Sequence, residues 1–146
     1  MKVLVYGAGV IGSYLAHVLC TAGHEVAVLA RGQRKAELES KGLVLVHQLQ
    51  RKRTVDHPRV VGSLNPSEPY DAVFAVMQFQ QMRAIVDDLA RANAPLVVLV
   101  GNNLAAPELE KEILMRSAAP KTVLFGFQGT GGRRENGEVR CFRMGA

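Results

Sequence analysis

The chain of 146 residues is poor in aromatic residues, which make up 5% of it, and has two cysteines. With few aromatics and no helix carrying a long basic stripe, its net charge of +5 does not amount to a nucleic-acid surface. Cys20 and Cys141 lack metal-ligand spacing, and no two histidines share such spacing with a cysteine or a carboxylate, so no metal is expected. No Ser-His-Asp or Cys-His arrangement is legible in the order of the residues. No apolar run approaches the ~20 residues of a membrane span. Met1-Lys2 leads straight into an apolar stretch with no small-residue cleavage site behind it, so a cytosolic protein without membrane contact is expected. Neither an internal repeat nor a long linker divides the chain, and one domain over residues 1–146 is expected.

What is present is an alternation of apolar strands and helical patterns in a chain that is 48% hydrophobic. Strands are predicted over Lys2–Tyr6, Glu25–Arg31, Leu43–Val46, Asp71–Met77, Pro95–Val100 and Thr122–Phe127. Helices are predicted over Val10–Ala22, Arg34–Lys41, Gln80–Ala92 and Pro107–Arg116. Between Gln48 and Pro69 the pattern turns polar, and only "RKRTV" and "RVV" suggest short edge strands. Apolar strands separated by helices imply an α/β fold, a doubly wound and mostly parallel sheet covered on both faces.

The first strand runs into Gly7-Ala8-Gly9-Val10-Ile11-Gly12, which opens a helix. Each glycine has its own reason in such a loop. Gly7 permits the tight turn off the strand, Gly9 lets a pyrophosphate approach the backbone, and Gly12 lets helix and strand press together. The helix N-terminus adds free N–H groups and a positive dipole end. In this strand-turn-helix context the motif points to a dinucleotide.

The end of the second strand selects the ribose. A carboxylate there would bond a 2′-hydroxyl, but this strand ends in Ala30-Arg31-Gly32. Arg31 suits a 2′-phosphate, with Lys35 close enough to help, so NADP(H) is expected over NAD. The other basic groups, Arg51 to Arg53 and Arg133-Arg134, read as solvated loop or edge-strand charges. "VMQFQQM" and "VGNNLAAPELE" follow buried strands, where ligands bind in open parallel sheets, and Asn102 would project its amide into the crevice or cap its own turn. His17 and the Asp87-Asp88 pair read as packing or solvated surface rather than catalytic groups.

The stretches "MKVLVYGAGVIGSYLA", "GHEVAVLARG", "YDAVFAVMQFQQ" and "GNNLAAPELE" together resemble the N-terminal domain of the ketopantoate reductase (2-dehydropantoate 2-reductase) family over essentially the whole chain. The resemblance implies a Rossmann dinucleotide-binding fold and a reaction of pantothenate biosynthesis, in which NADPH reduces a 2-oxo acid to a 2-hydroxy acid such as pantoate. It implies cofactor contacts from Gly7, Ala8, Gly9, Val10, Ile11, Gly12, Arg31, Gln78 and Asn102, with Asn102 also the best candidate for touching substrate. The sequence departs from the family at Gln78, where a lysine is usual, at Gly101, where glutamine is common, and at Asn103 and Ala105, where glycines stand. Family members carry their proton-donating lysine and a substrate-binding acid on a second, helical domain. Residues 1–146 therefore correspond to the cofactor half, expected to be inactive alone. A small 2-oxo acid is the expected partner, and a second copy of the chain is the one macromolecular partner kept open. The competing class is a non-catalytic dinucleotide sensor, which usually carries an acid where this chain has Arg31.

Overall fold

The computed structural model describes residues 1–101, 106–126 and 130–143. Its elements in order are β1 (Lys2–Tyr6), α1 (Val10–Thr21), β2 (Glu25–Leu29), α2 (Gly32–Lys41), β3 (Leu43–His47), β4 (Lys52–Asp56) and β5 (Arg59–Val61). There follow β6 (Ala72–Val76), α3 (Phe79–Ala84), α4 (Val86–Arg91), β7 (Leu96–Val100), α5 (Ala106–Arg116), β8 (Thr122–Gly126), β9 (Thr130–Glu135) and β10 (Glu138–Arg143).

Six strands form one parallel sheet in the order β5-β2-β1-β6-β7-β8. The chain works outward from β1 through β2 to β5, then returns to the other flank of β1 with β6. That reversal leaves a crevice beyond the carboxyl ends of β1 and β6. The register puts Tyr6 beside Leu29 on one flank and beside Ala75 on the other, so the segments after all three strands start at one level. β1 runs Val3, Leu4, Val5 and Tyr6 after Lys2, all buried, because both its faces are covered. Leu4 belongs to a core with Val73, Leu89, Val97 and Ile113, while Val3 and Val5 belong to a second core with Ala16, Val28 and Ala72. Fully burying one such side chain is worth roughly 1.5–3 kcal/mol.

A second sheet, of order β4-β3-β10-β9, was not predicted from the sequence. β3 and β4 form a hairpin, β9 and β10 another, and β10 joins them by running parallel to β3. Leu43 and Leu45 of β3 and Val139 and Cys141 of β10 complete the core around α1, which lies between the two sheets. β9 reads "TGGRRE" and β4 "KRTVD", too polar to register as core strands. The overlooked signal was the dipeptide Asn136-Gly137, whose φ values of 53° and 76° supply the positive pair that a two-residue hairpin turn requires.

Two boundaries differ in ways that matter for the site. The second strand stops at Leu29, so Arg31 is the N-cap of α2 and not a strand residue. The helix expected over Gln80–Ala92 is two helices, broken at Ile85 (φ −114°, ψ 14°), whose N–H bonds the carbonyl of Met82. The break lets Ile85 line the crevice while Val86 stays in the core. Among the described residues no helix is long and apolar enough to cross a membrane.

Candidate functional site: the crevice above the parallel sheet

A crevice of about 890 Å³ lies over the carboxyl ends of β1, β2, β6 and β7. The glycine loop forms its centre. A Cβ on Gly7 (φ +120°) would lie 2.3 Å from the carbonyl oxygen of Val76, and one on Gly12 would lie 1.9 Å from the carbonyl oxygen of Gly7. Both positions are therefore closed to any side chain by backbone. Gly9 is different: a Cβ there would meet nothing within 4 Å, so the space over it is open. Gly9 is also the N-cap of α1, whose first turn carries no acidic residue. Two tight glycines shape the loop, and an open one leaves room for a phosphate to reach the N-terminal amides of α1.

The loop is braced from beneath. Arg34 is buried, and its Nε donates to the carbonyl of Ala8 at 2.9 Å while its Nη2 donates to Ser13 Oγ at 2.9 Å. Ser13 Oγ itself donates to the Ala8 carbonyl at 3.2 Å. Burial, and next the nearby charge of Arg134, push the Arg34 guanidinium below its usual range. Arg34 thus serves the loop from the first turn of α2. Ser13 gave no signal at all beyond its place on an apolar helix face.

Arg31 stands at the mouth of the crevice beside β2. Its Nη2 donates to the Tyr6 hydroxyl at 3.2 Å, and that hydroxyl donates to Asp88 Oδ2 at 2.9 Å. Burial, and next the bond to Asp88, push the Tyr6 phenol up to about 12. Lys35, expected to assist Arg31, pairs with Glu39 at 2.8 Å and packs its stem toward Gly62. An i,i+4 partner on its own helix claims it, and it is not part of the crevice lining. Its place is taken by Arg134 of β9, which lines the crevice and also a basic groove of about 740 Å³ that runs past Arg31 and Arg34 to Lys41. Arg134 is exposed on the edge strand β9, as the edge-strand reading expects, and the unpredicted hairpin also sets it at the rim of the crevice.

Gln78 is the exposed N-cap of α3 and lines the crevice, and its backbone N–H donates to Gln81 Oε1 at 3.2 Å. Val10, Ile11 and Ala8 line the crevice with the glycines. Asn102, with Asn103 and Ala105, lies outside the described residues. Tyr6, Arg134 and the Ser13–Arg34 brace are the parts of the site that sequence reasoning missed.

The family described as ketopantoate reductase PanE/ApbA matches residues 3–146, and the chain belongs to that family. No curated protein matches the chain. Among solved structures, 2-dehydropantoate 2-reductase from Methylococcus capsulatus is similar at 22% identity and a TM-score of 0.78, covering 99% of this chain and 46% of the other. The 2-dehydropantoate 2-reductase of Porphyromonas gingivalis W83 is similar at 22% identity and a TM-score of 0.73, covering 98% and 52%. A D-mandelate dehydrogenase in ternary complex with NADH and anilino(oxo)acetate is similar at 17% identity and a TM-score of 0.75, covering 100% and 46%. These likenesses establish the Rossmann-like fold, and the chain spans about half the length of the structures it matches.

Proposed function

We propose that this member of the ketopantoate reductase family binds NADPH in the crevice above β1 and β6. It would act as the cofactor half of an oxidoreductase that reduces a 2-oxo acid, such as ketopantoate, to the 2-hydroxy acid. The observation that carries this reading is the contrast inside the glycine loop. Gly7 and Gly12 are closed by backbone, while the space over Gly9 is open at the N-terminus of α1. A pyrophosphate fits that opening, held by the amides of Val10, Ile11 and Gly12. Arg31 and Arg134, with no carboxylate in the Ala30-Arg31-Gly32 turn that follows β2, suit a ribose 2′-phosphate. NADPH, when bound, supplies the hydride. Gln78 faces the same space with dipoles where a family lysine would place a full charge, which favours a substrate or binding strength altered from the family's.

Among the described residues that line the crevice, the ionisable groups are Tyr6, whose phenol is pushed up to about 12, and three arginines, and no histidine, lysine or carboxylic acid stands with them. A proton donor for the alcohol product must therefore come from elsewhere, and the 146-residue chain should bind cofactor without turning over a 2-oxo acid. Titration by NADPH fluorescence tests this reading. Wild type should saturate, and Gly9→Val, which fills the open space, should weaken binding by at least about a hundredfold. Saturable binding that survives Gly9→Val, or no binding to wild type, would contradict the assignment. Rapid saturable NADPH oxidation with ketopantoate would contradict the inactivity of this chain alone.

A further inference from the structure

We infer that Tyr6 and Asp88 are positioning residues that set how strongly Arg31 favours a ribose 2′-phosphate over a 2′-hydroxyl. The inference rests on the dinucleotide reading and deepens it. Tyr6 ends β1 with its ring on the floor of the crevice, and it is 5% exposed. Its hydroxyl has one proton to donate, and Asp88 Oδ2 takes it at 2.9 Å. Only lone pairs are then left for Arg31 Nη2, which approaches to 3.2 Å. The polarity of the chain Arg31 to Tyr6 to Asp88 is thereby fixed in one direction. The phenol holds that proton far above neutral pH, so the arrangement does not change over any ordinary working range.

Two consequences follow for the ligand. An arginine at a crevice mouth carries several rotatable bonds, and ordering them on binding costs affinity. The Tyr6 hydroxyl is the one hydrogen-bond partner of the Arg31 guanidinium among the described residues, and it holds the group over the crevice in advance. The second consequence concerns Asp88. A carboxylate at this end of a dinucleotide crevice ordinarily accepts a ribose 2′-hydroxyl and repels a 2′-phosphate. Here it arrives from α4, and the Tyr6 hydroxyl stands between it and Arg31. Tyr6 therefore both aims the arginine and covers the acid. Removing the hydroxyl would release Arg31 toward Asp88 and favour the 2′-hydroxyl. Neutralising Asp88 would do the reverse.

The test is calorimetric titration of adenosine 2′,5′-bisphosphate and adenosine 5′-monophosphate into wild type, Tyr6→Phe and Asp88→Asn. Wild type should prefer the bisphosphate. Tyr6→Phe should lower that preference about fivefold, and Asp88→Asn should raise it about threefold. A role in packing alone would shift both affinities together and leave their ratio unmoved. An unchanged ratio in Tyr6→Phe, or a ratio in Asp88→Asn that fails to rise, would overturn the inference while leaving the dinucleotide reading standing. The second variant decides the matter if the first does not fold. Failure of wild type to bind either nucleotide would overturn the dinucleotide reading, and this inference with it.

Discussion

The two sheets are held together by different forces. The six-stranded sheet is closed over by helices, and the residues of β1 and β6 that pack it, such as Leu4, Val5, Ala72 and Val73, are fully buried. The four-stranded sheet packs Leu43 and Leu45 against α1 and adds polar and ionic contacts of its own. Arg53 pairs with Glu138, His17 Nδ1 lies 2.6 Å from Asp56 Oδ2, and His47 Nε2 lies 2.8 Å from Thr54 Oγ1. The His17 and His47 rings stand 5.1 Å apart between α1 and β3, beside a hollow of about 330 Å³. The large sheet builds the crevice, and the small one lends it Arg134. Dry packing should make the first indifferent to pH, while the second should respond to it.

The largest effect should come from closing the glycine loop. Gly12→Ala drives a Cβ into the carbonyl of Gly7, where neither group can yield, and should cost about 4 kcal/mol or more of stability together with cofactor binding. Gly9→Ala meets nothing and should leave stability within about 0.5 kcal/mol, a contrast readable by urea denaturation. Equal losses in both would break the distinction between shaping and open glycines.

Next in size is the small sheet's apolar face. Leu45 is fully buried, and Leu45→Ala should cost about 2–4 kcal/mol while changing NADPH affinity less than about twofold under native conditions. A large loss of affinity would show that the two regions are not separable.

The smallest effect is the pH dependence. Burial, and next the charges of His17 and Lys52, push the His47 imidazole below its ordinary range, against the opposing pull of Asp56. The folded state thus prefers the neutral ring. Its contribution to stability is present above the ordinary value near 6.5 and is lost as pH falls through the depressed one. Melting temperature should therefore drop with acidification below about pH 6.5, and His47→Gln should flatten that slope. An unchanged slope in the variant would remove His47 as its source.

These contrasts also explain what could be read in advance. The runs "KVLVY", "AVFAV" and "LVVLV" announce themselves because burial on both faces demands continuous apolar residues. "TGGRRE" does not, since only one face of β9 is covered and its partner strand supplies the apolar side chains. The place of Arg31 at the crevice was legible because it follows a buried strand. Lys35 misled because sequence order does not show that Glu39 would claim it, and Tyr6 looked like one more apolar strand residue until its hydroxyl was seen between Asp88 and Arg31. The break at Ile85 has no proline or glycine to mark it.

The central claim is that the crevice takes NADPH through Arg31. Calorimetric titration of NADPH and NADH into wild type and Arg31→Ala tests it most directly. One charge-assisted contact at the open rim is worth about 1.5 kcal/mol, or roughly tenfold in affinity. Wild type should therefore favour NADPH by about that factor, less at high salt. Arg31→Ala should lose most of the preference while NADH affinity barely moves. Equal binding of the two cofactors by wild type would contradict the account.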